Sequence, residues 1–173
     1  PELVKHVLNA WAHLGPRYAG KLDPRAAKRT QAEAAKLVMD IAAKLRANTS
    51  SIDALMKMYS EDPGLLVEEA YTVAAEDPYV RQFKSLALRL QVDEVGVVMT
   101  EFGYHVVLRV SPPPPDPLES AGILARPATS GPNDVQHIVI GWNDKGRTTD
   151  ARALARTKAQ ADTLASEILA KVR

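Results

Sequence analysis

The sequence predicts an α+β fold with a small antiparallel or mixed sheet, followed by a proline-rich linker and an incomplete repeat. Two observations support this prediction. The residues before the linker follow the order strand, helix, helix, strand, helix, hairpin, which is typical of α+β domains. The strand and the helix that open the chain then recur near its end. Of the 173 residues, 46% are hydrophobic and 25% are charged, which is the composition of a soluble globular protein.

Local signals mark the first strand and the first helix. Residues 3–8 are short and rich in apolar side chains, which predicts a strand. After a loop, Thr30 and Glu33 form a capping-box pattern that opens a helix. Apolar side chains at helical spacing continue this helix to about Arg46. They are Ala34, Leu37, Ile41 and Leu45.

The next part of the chain predicts a second helix, an edge strand and a third helix. Ser51 can cap the second helix, and the Asp-Pro-Gly sequence at residues 62–64 ends it. Residues 67–73 predict an edge strand, and the Asp-Pro pair at residues 77–78 begins the third helix. The apolar faces of these helices would hold Ile52, Leu55 and Tyr59 in the second, and Val80, Phe83, Leu86 and Leu90 in the third.

A hairpin and a stiff linker follow. Residues 95–99 and 102–110 predict two strands joined around residues 100–101. Residues 112–115 are four consecutive prolines, which can join neither a helix nor a sheet and favour an extended polyproline conformation. The predicted division is a domain at residues 1–111, a Pro/Gly-rich linker at 112–134 and a further segment at 135–173.

The segment after the linker repeats the opening of the chain. VKHVL at residues 4–8 returns as VQHIV at residues 135–139, and RTQAE at residues 29–33 returns as RTKAQ at residues 156–160. This self-similarity indicates one complete unit followed by the first strand and helix of a second. We expect residues 135–173 to dock on the first unit or to exchange with a second copy as a homodimer. The stop at Arg173 suggests that a longer parent protein completes the second unit.

Charge and residue usage exclude several classes of function. The formal net charge is +1, so no basic field points to nucleic acid. The chain has no cysteine, which excludes disulfides, thiolate catalysis and Cys-based zinc sites. No apolar run is long enough to span a bilayer. Because the chain begins at Pro1 rather than Met, we expect its N-terminus to be processed, as in proteins that lose a leader peptide.

Four motifs, in this order along residues 4–110, resemble the parvulin-type peptidyl-prolyl isomerases. The hairpin sequence Phe-Gly-Tyr-His, combined with the turn Tyr-Ser-Glu-Asp, is a fairly specific pair. The resemblance implies a small four-stranded sheet wrapped by helices, with the first and last strands adjacent at its centre and one His on each. The motifs are VKHVL at residues 4–8, YSEDPG at 59–64, the helix from Phe83 with its exit at 92–95, and TEFGYHVV at 100–107.

The resemblance also implies the residues of the site. His6 and His105 match two family histidines that hydrogen-bond to each other. Asp62 matches a position that is Cys or Asp across the family, and Tyr79 stands where the family usually has Met. No cofactor and no metal are implied. The alternative for the histidines is a buried structural pair, and for Phe83 a core residue. The predicted catalytic residues are His6, Asp62 and His105, and the predicted substrate-binding residues are Tyr79, Phe83, Leu90 and Phe102.

The chemistry of prolyl rotation suits such a small site. An X-Pro bond rotates against a barrier of ~18–20 kcal/mol without any covalent bond breaking. A catalyst therefore needs an apolar pocket for the proline ring and a small polar network that favours the twisted amide. In alternating strands, His6 shares a face with Val4 and His105 shares one with Val107, so the imidazoles can meet if the strands pair.

We therefore expect an isomerase that acts as a folding helper on unfolded or extended proline-containing polypeptides. We expect it in the bacterial cell envelope, periplasmic or lipid-anchored, with the cytoplasm as the alternative location.

Two other functions compete. The family's usual Gly-rich segment reads LLVEEAY at residues 65–71, which favours a weak or inactive peptide-binding chaperone. The two histidines and Asp62 also have the composition of a two-His-one-carboxylate metal site. Phosphate-directed specificity is not expected, because no Lys/Arg cluster directly follows His6.

Overall fold

The computed structural model describes residues 1–64, 69–143 and 148–172. The chain divides into two compact units, Pro1–Pro112 (unit 1) and Pro113–Arg173 (unit 2). Across the described residues, no helix combines the length and the apolar character that crossing a bilayer requires. Unit 1 contains β1 (Glu2–Asn9), α1 (Gln31–Ala47), α2 (Ile52–Tyr59), β2 (Tyr71–Val73), α3 (Arg81–Ala87), β3 (Val95–Thr100) and β4 (Gly103–Arg109).

The elements of unit 1 follow the predicted order. The capping box at the start of α1 is confirmed, because the Thr30 hydroxyl accepts from the Glu33 N–H and the Glu33 carboxylate accepts from the Thr30 N–H. The edge strand is shorter than predicted, since β2 covers only Tyr71–Val73, and residues 67–68 of that prediction lie outside the described residues. Helix α3 is likewise shorter than the predicted stretch.

The four strands form one antiparallel sheet in the order β2-β1-β4-β3. The predicted α+β fold is confirmed, and strands β1 and β4 lie side by side at the centre, as the resemblance implies. His6 lies opposite Val107, and His105 lies opposite Leu8. Because alternate residues of a strand share a face, this register places both histidines on the same face of the sheet as diagonal neighbours.

The two faces of the sheet carry separate cores. On one face, Val7 and Val106 pack against α1 and α2. On the other face, Val4 and Val107 pack against α3. The approach of α3 to β3 depends on Gly96, since a Cβ at this position would lie 2.7 Å from Cδ1 of Leu86. The histidines share the α3 face, so α3 and its preceding loop cover them.

Unit 2 contains α4 (Ala121–Leu124), α5 (Ala151–Leu154) and α6 (Lys158–Val172). The strand predicted at the start of the second repeat is wrong, because residues 135–140 pair with no strand among the described residues. A strand needs a neighbour for its backbone hydrogen bonds, and in unit 1 that neighbour is β4. Without it, Val135 is 80% exposed, and Val139 is 78% exposed.

The hydrogen bonds at the start of the repeat nevertheless recur. In unit 1, the Ala12 N–H donates to the Arg29 carbonyl at 3.0 Å, and Nη1 of Arg29 donates to the Ala10 carbonyl at 3.1 Å. Unit 2 repeats both bonds, from Asn143 N–H to the Arg156 carbonyl at 2.7 Å and from Nη1 of Arg156 to the Gly141 carbonyl at 2.8 Å. Gly141, Asn143 and Arg156 thus repeat the bonds of the strand-to-helix junction of unit 1. Docking on unit 1 and homodimer formation stay predictions.

Candidate active site

Two buried histidines form the centre of the site. The register of β1 and β4 places Nδ1 of His6 3.1 Å from Nδ1 of His105. The two imidazole rings stack with their centroids 5.2 Å apart and an interplanar angle of 24°. Since both rings are buried, each of their nitrogens needs a partner within the protein.

Partners on either side extend the pair into a chain of four polar groups. Nε2 of His6 lies 3.0 Å from Oδ2 of Asp62, and Nε2 of His105 lies 2.9 Å from Oγ1 of Thr100. An ionised carboxylate can only accept, so Nε2 of His6 carries a proton and its Nδ1 accepts from His105. The remaining nitrogen of His105 then accepts from the Thr100 hydroxyl. Every bond of the chain therefore points toward Asp62.

The electrostatics agree with these proton positions. Burial is the main cause that lowers the pKa of His105 to about 3, and the neighbouring His6 lowers it further, while Asp62 acts in the opposite direction. For Asp62, burial alone would raise the pKa of the carboxyl. Hydrogen bonds from His6, from the Gly64 N–H and from the Tyr71 hydroxyl outweigh burial and hold that pKa below its usual range. At neutral pH the chain thus ends in a carboxylate.

An apolar cavity of about 400 Å³ opens beside this chain. Phe83 forms its floor, with its ring centroid 5.1 Å from that of His6 and 5.4 Å from that of His105. The ring centroid of Tyr79 lies 5.7 Å from that of Phe83, and the ring centroid of Tyr71 lies 5.0 Å from that of His6. Aromatic rings thus surround a space in which a proline ring can lie against the histidines. The predicted residues that line the cavity are His6, Asp62, Tyr79, Phe83, Phe102 and His105.

Leu90, the remaining predicted substrate-binding residue, does not line this cavity. Helix α3 ends at Ala87, and the chain then turns Leu90 toward the sheet. Leu90 is buried in the core beside Phe83 and Val107, and its Cδ2 would lie 3.1 Å from a Cβ at Gly96. The prediction that Leu90 binds substrate is therefore corrected to a core position. The helical spacing that suggested it is the same for a core residue and for a cavity-lining residue.

Comparison with known proteins gives the family. Residues 5–111 match the family model of the PPIC-type PPIase domain, which is more than half of the chain. The chain belongs to the PPIC-type, or parvulin-type, peptidyl-prolyl isomerase family. The PPIase domain of TBPAR42 is similar in structure, with a TM-score of 0.54 and 23% identity over 64% of this chain and 100% of that one. This similarity supports the fold.

A second solved structure, the peptidyl-prolyl isomerase ESS1 from Candida albicans, matches with a TM-score of 0.47 and 18% identity. That match covers 64% of this chain and 62% of the ESS1 chain. No curated protein matches the chain. The resemblance that the sequence motifs indicate is confirmed by the family model, which spans unit 1 from β1 to the end of β4.

The cavity of this isomerase-family domain has a wall that the sequence analysis missed. Tyr18, Arg17 and Lys21 all line it from the loop between β1 and α1. The Tyr18 hydroxyl donates to the Phe102 carbonyl, and burial, with smaller effects from nearby carboxylates, raises the pKa of this hydroxyl. Nη1 of Arg17 lies 3.1 Å from Oε2 of Glu101. No spacing in the sequence indicates that this loop folds back to the hairpin.

His6 and His105 are not arranged as ligands of a metal ion. Among the described residues, no group of three or more His, Cys, Asp or Glu side chains is placed to hold a metal ion. The reason lies in the hydrogen bonds, because Nδ1 of His6 is bonded to His105 and its Nε2 to Asp62. A metal bound by these residues would have to break the chain of hydrogen bonds.

Proposed function

We propose that the chain is a peptidyl-prolyl cis-trans isomerase that assists folding by rotating X-Pro bonds without covalent chemistry. The observation that carries this proposal is the juxtaposition of the aromatic cavity with the Asp62–His6–His105 chain. The substrates would be unfolded or extended polypeptides that expose proline. A location in the bacterial cell envelope remains part of the proposal.

In this mechanism the proline ring lies against Phe83 and Tyr79. The apolar walls remove water from the amide, which disfavours the charge-separated resonance form that keeps the bond planar. The Asp62 carboxylate repels the carbonyl oxygen in the planar amide, and this repulsion falls as the bond twists. Because catalysis requires stronger interactions in the transition state than in the ground state, this difference lowers the barrier.

The histidines act on Asp62 rather than on the substrate bond in this proposal. The Nε2–H of His6 donates to Oδ2 of Asp62 and fixes the direction of the carboxylate. His105 and Thr100 in turn fix the tautomer of His6. No proton transfer is needed for rotation, so the histidine pair serves as a rigid support.

An exchange assay on an X-Pro peptide, followed by NMR, tests the proposal. The full chain should accelerate cis–trans exchange equally with and without a chelator. Asp62→Asn should lower the rate by about tenfold or more, because it removes the charge that favours the twisted amide. Asp53→Asn is the matched control, since Asp53 pairs with Lys5 on the other side of β1. A folded wild type without acceleration contradicts the proposal.

The second candidate function is a peptide-binding chaperone without catalysis. The observation that favours it is the sequence of residues 65–71, where the family usually has glycines. Residues 65–68 lie outside the described part of the chain. Peptide binding at the cavity, seen as chemical-shift changes in the same NMR experiment, without acceleration of exchange would support this function.

A further inference from the structure

The loop that carries Asp62 replaces a strand along the end of β1. Strand β2 pairs with β1 only at residues 2–4. Farther along, the Glu61 N–H donates to the Leu8 carbonyl at 2.8 Å, and the Leu8 N–H donates to Oγ of Ser60 at 3.2 Å. The backbone next to Asp62 is therefore bonded directly to the strand that carries His6.

Glu61 adds a buried ionic anchor to this loop. Its side chain is 1% exposed, which would be costly for an unpaired carboxylate. Nη1 of Arg29 lies 2.8 Å from Oε1 and 3.1 Å from Oε2 of Glu61, and the Ala10 N–H donates to Oε2 at 2.9 Å. The carboxylate thus receives hydrogen bonds from both the end of β1 and the segment before α1.

Arg29 joins β1 to α1 through bonds that do not involve Glu61. It accepts from the Ala12 N–H and donates to the Ala10 carbonyl, and Arg156 in unit 2 makes the equivalent pair of bonds. These bonds fix the junction between strand and helix. The Glu61 carboxylate connects the loop that carries Asp62 to this junction. The ion pair therefore fixes the position of that loop at the site.

We propose that Glu61 and Arg29 are positioning residues that hold Asp62 in hydrogen-bonding distance of His6, an inference that rests on the proposed isomerase function. Asp62 follows Glu61 directly, so a shift of the anchored residue moves the carboxylate relative to His6. Phe83 belongs to α3, outside this loop. Loss of the anchor should therefore lower kcat while KM, set by the proline pocket, stays nearly constant.

The test uses Glu61→Gln and Arg29→Lys in the full chain. Glu61→Gln keeps an acceptor for the Ala10 N–H but loses the charge. We expect kcat to fall about tenfold with KM changed by less than about twofold, since small misplacements of catalytic groups are costly. Arg29→Lys keeps the positive charge and should lose less. Asp53→Asn breaks the Lys5–Asp53 pair at the same strand and should change neither constant.

A spectroscopic readout separates positioning from a general loss of stability. The ¹⁵N shift of Nε2 in His6 reports its hydrogen bond to Asp62, and it should move in Glu61→Gln but not in Asp53→Asn. Unchanged His6 shifts in a folded Glu61→Gln protein would overturn the inference, even with reduced kcat. If the wild type is inactive, the proposed function fails while the His6 shifts still decide the positioning role. If Glu61→Gln does not fold, Arg29→Lys carries the same comparison.

Discussion

His105 should make unit 1 less stable under mild acid. Its pKa is lowered by burial to about 3 in the folded protein, from an ordinary value of 6.5. Between these two values the unfolded chain binds more protons than the folded one, so stability is fully present above pH 6.5 and is lost as the pH falls toward 3. At about 1.4 kcal/mol per pH unit, one such histidine removes about 2 kcal/mol between pH 7 and pH 5.

Asp62 does not interfere in this pH range. The pKa of its carboxyl is held below the ordinary value of 3.8, chiefly by the hydrogen bond from His6 working against burial. Its contribution to stability is therefore present above pH 3.8 and is lost only at lower pH. A comparison of pH 7 with pH 5 thus leaves out the titration of Asp62.

Urea unfolding at both pH values measures the effect. Trp11 is buried in unit 1 and lies 5.3 Å from Tyr104, so its fluorescence in a Trp142→Phe background reports on this unit. His105→Gln keeps a donor and an acceptor for Thr100 and His6 but cannot titrate. Its unfolding free energy should lose about 2 kcal/mol less than the wild type between pH 7 and pH 5.

An exposed histidine provides the matched control. His13→Gln should keep the full loss of the wild type, because His13 is exposed in unit 1. If the wild type and His105→Gln lose the same free energy on acidification, the titration of His105 is not the cause, and the lowered pKa of His105 is wrong.

Three further predictions concern activity and assembly. Phe83→Ala should lower the exchange rate more than His105→Gln, because it removes the ring that contacts His6, His105 and Tyr79; equal activity of Phe83→Ala and wild type at matched stability would contradict this. Residues 1–112 alone should keep isomerase activity, since they form one compact unit with the whole cavity; a truncated protein that folds without accelerating exchange argues against it. If copies pair through residues 135–172, Ile138→Glu should reduce the dimer fraction in sedimentation while Leu124→Glu does not, and a wild type that is monomeric at every concentration rejects the homodimer.

Local and periodic signals made most of unit 1 predictable. The capping box at Thr30 depends on residues within one helical turn, and it forms as predicted. The alternation of β1 and β4 placed His6 and His105 on faces that can meet, and the register of the sheet brings them together. Such signals depend only on residues that are close in the sequence, so a single sequence is enough to find them.

The features that were missed depend on distant parts of the chain. Thr100 and Tyr71 join the polar network only because the hairpin and β2 fold against β1, and neither residue has a distinctive spacing. Leu90 has the right periodicity, but periodicity does not distinguish the floor of a cavity from the core behind it. Residues 135–140 have the sequence of a strand, but a strand also requires a neighbour to bind.

The placement of β1 beside β4 has a consequence for how the chain is made. The first strand of the domain cannot complete its central ladder until Arg109 at the end of the last strand has been synthesised. At translation rates of 5–20 residues per second, synthesis of the chain from the end of β1 to the end of β4 takes roughly 5–20 s. During this time β1 has no β4 to pair with. The VQHIV run at residues 135–139 emerges from the ribosome shortly afterwards and resembles the same strand. Closure of β4 onto β1 before residues 135–139 leave the ribosome would keep that later copy from taking the place of the first.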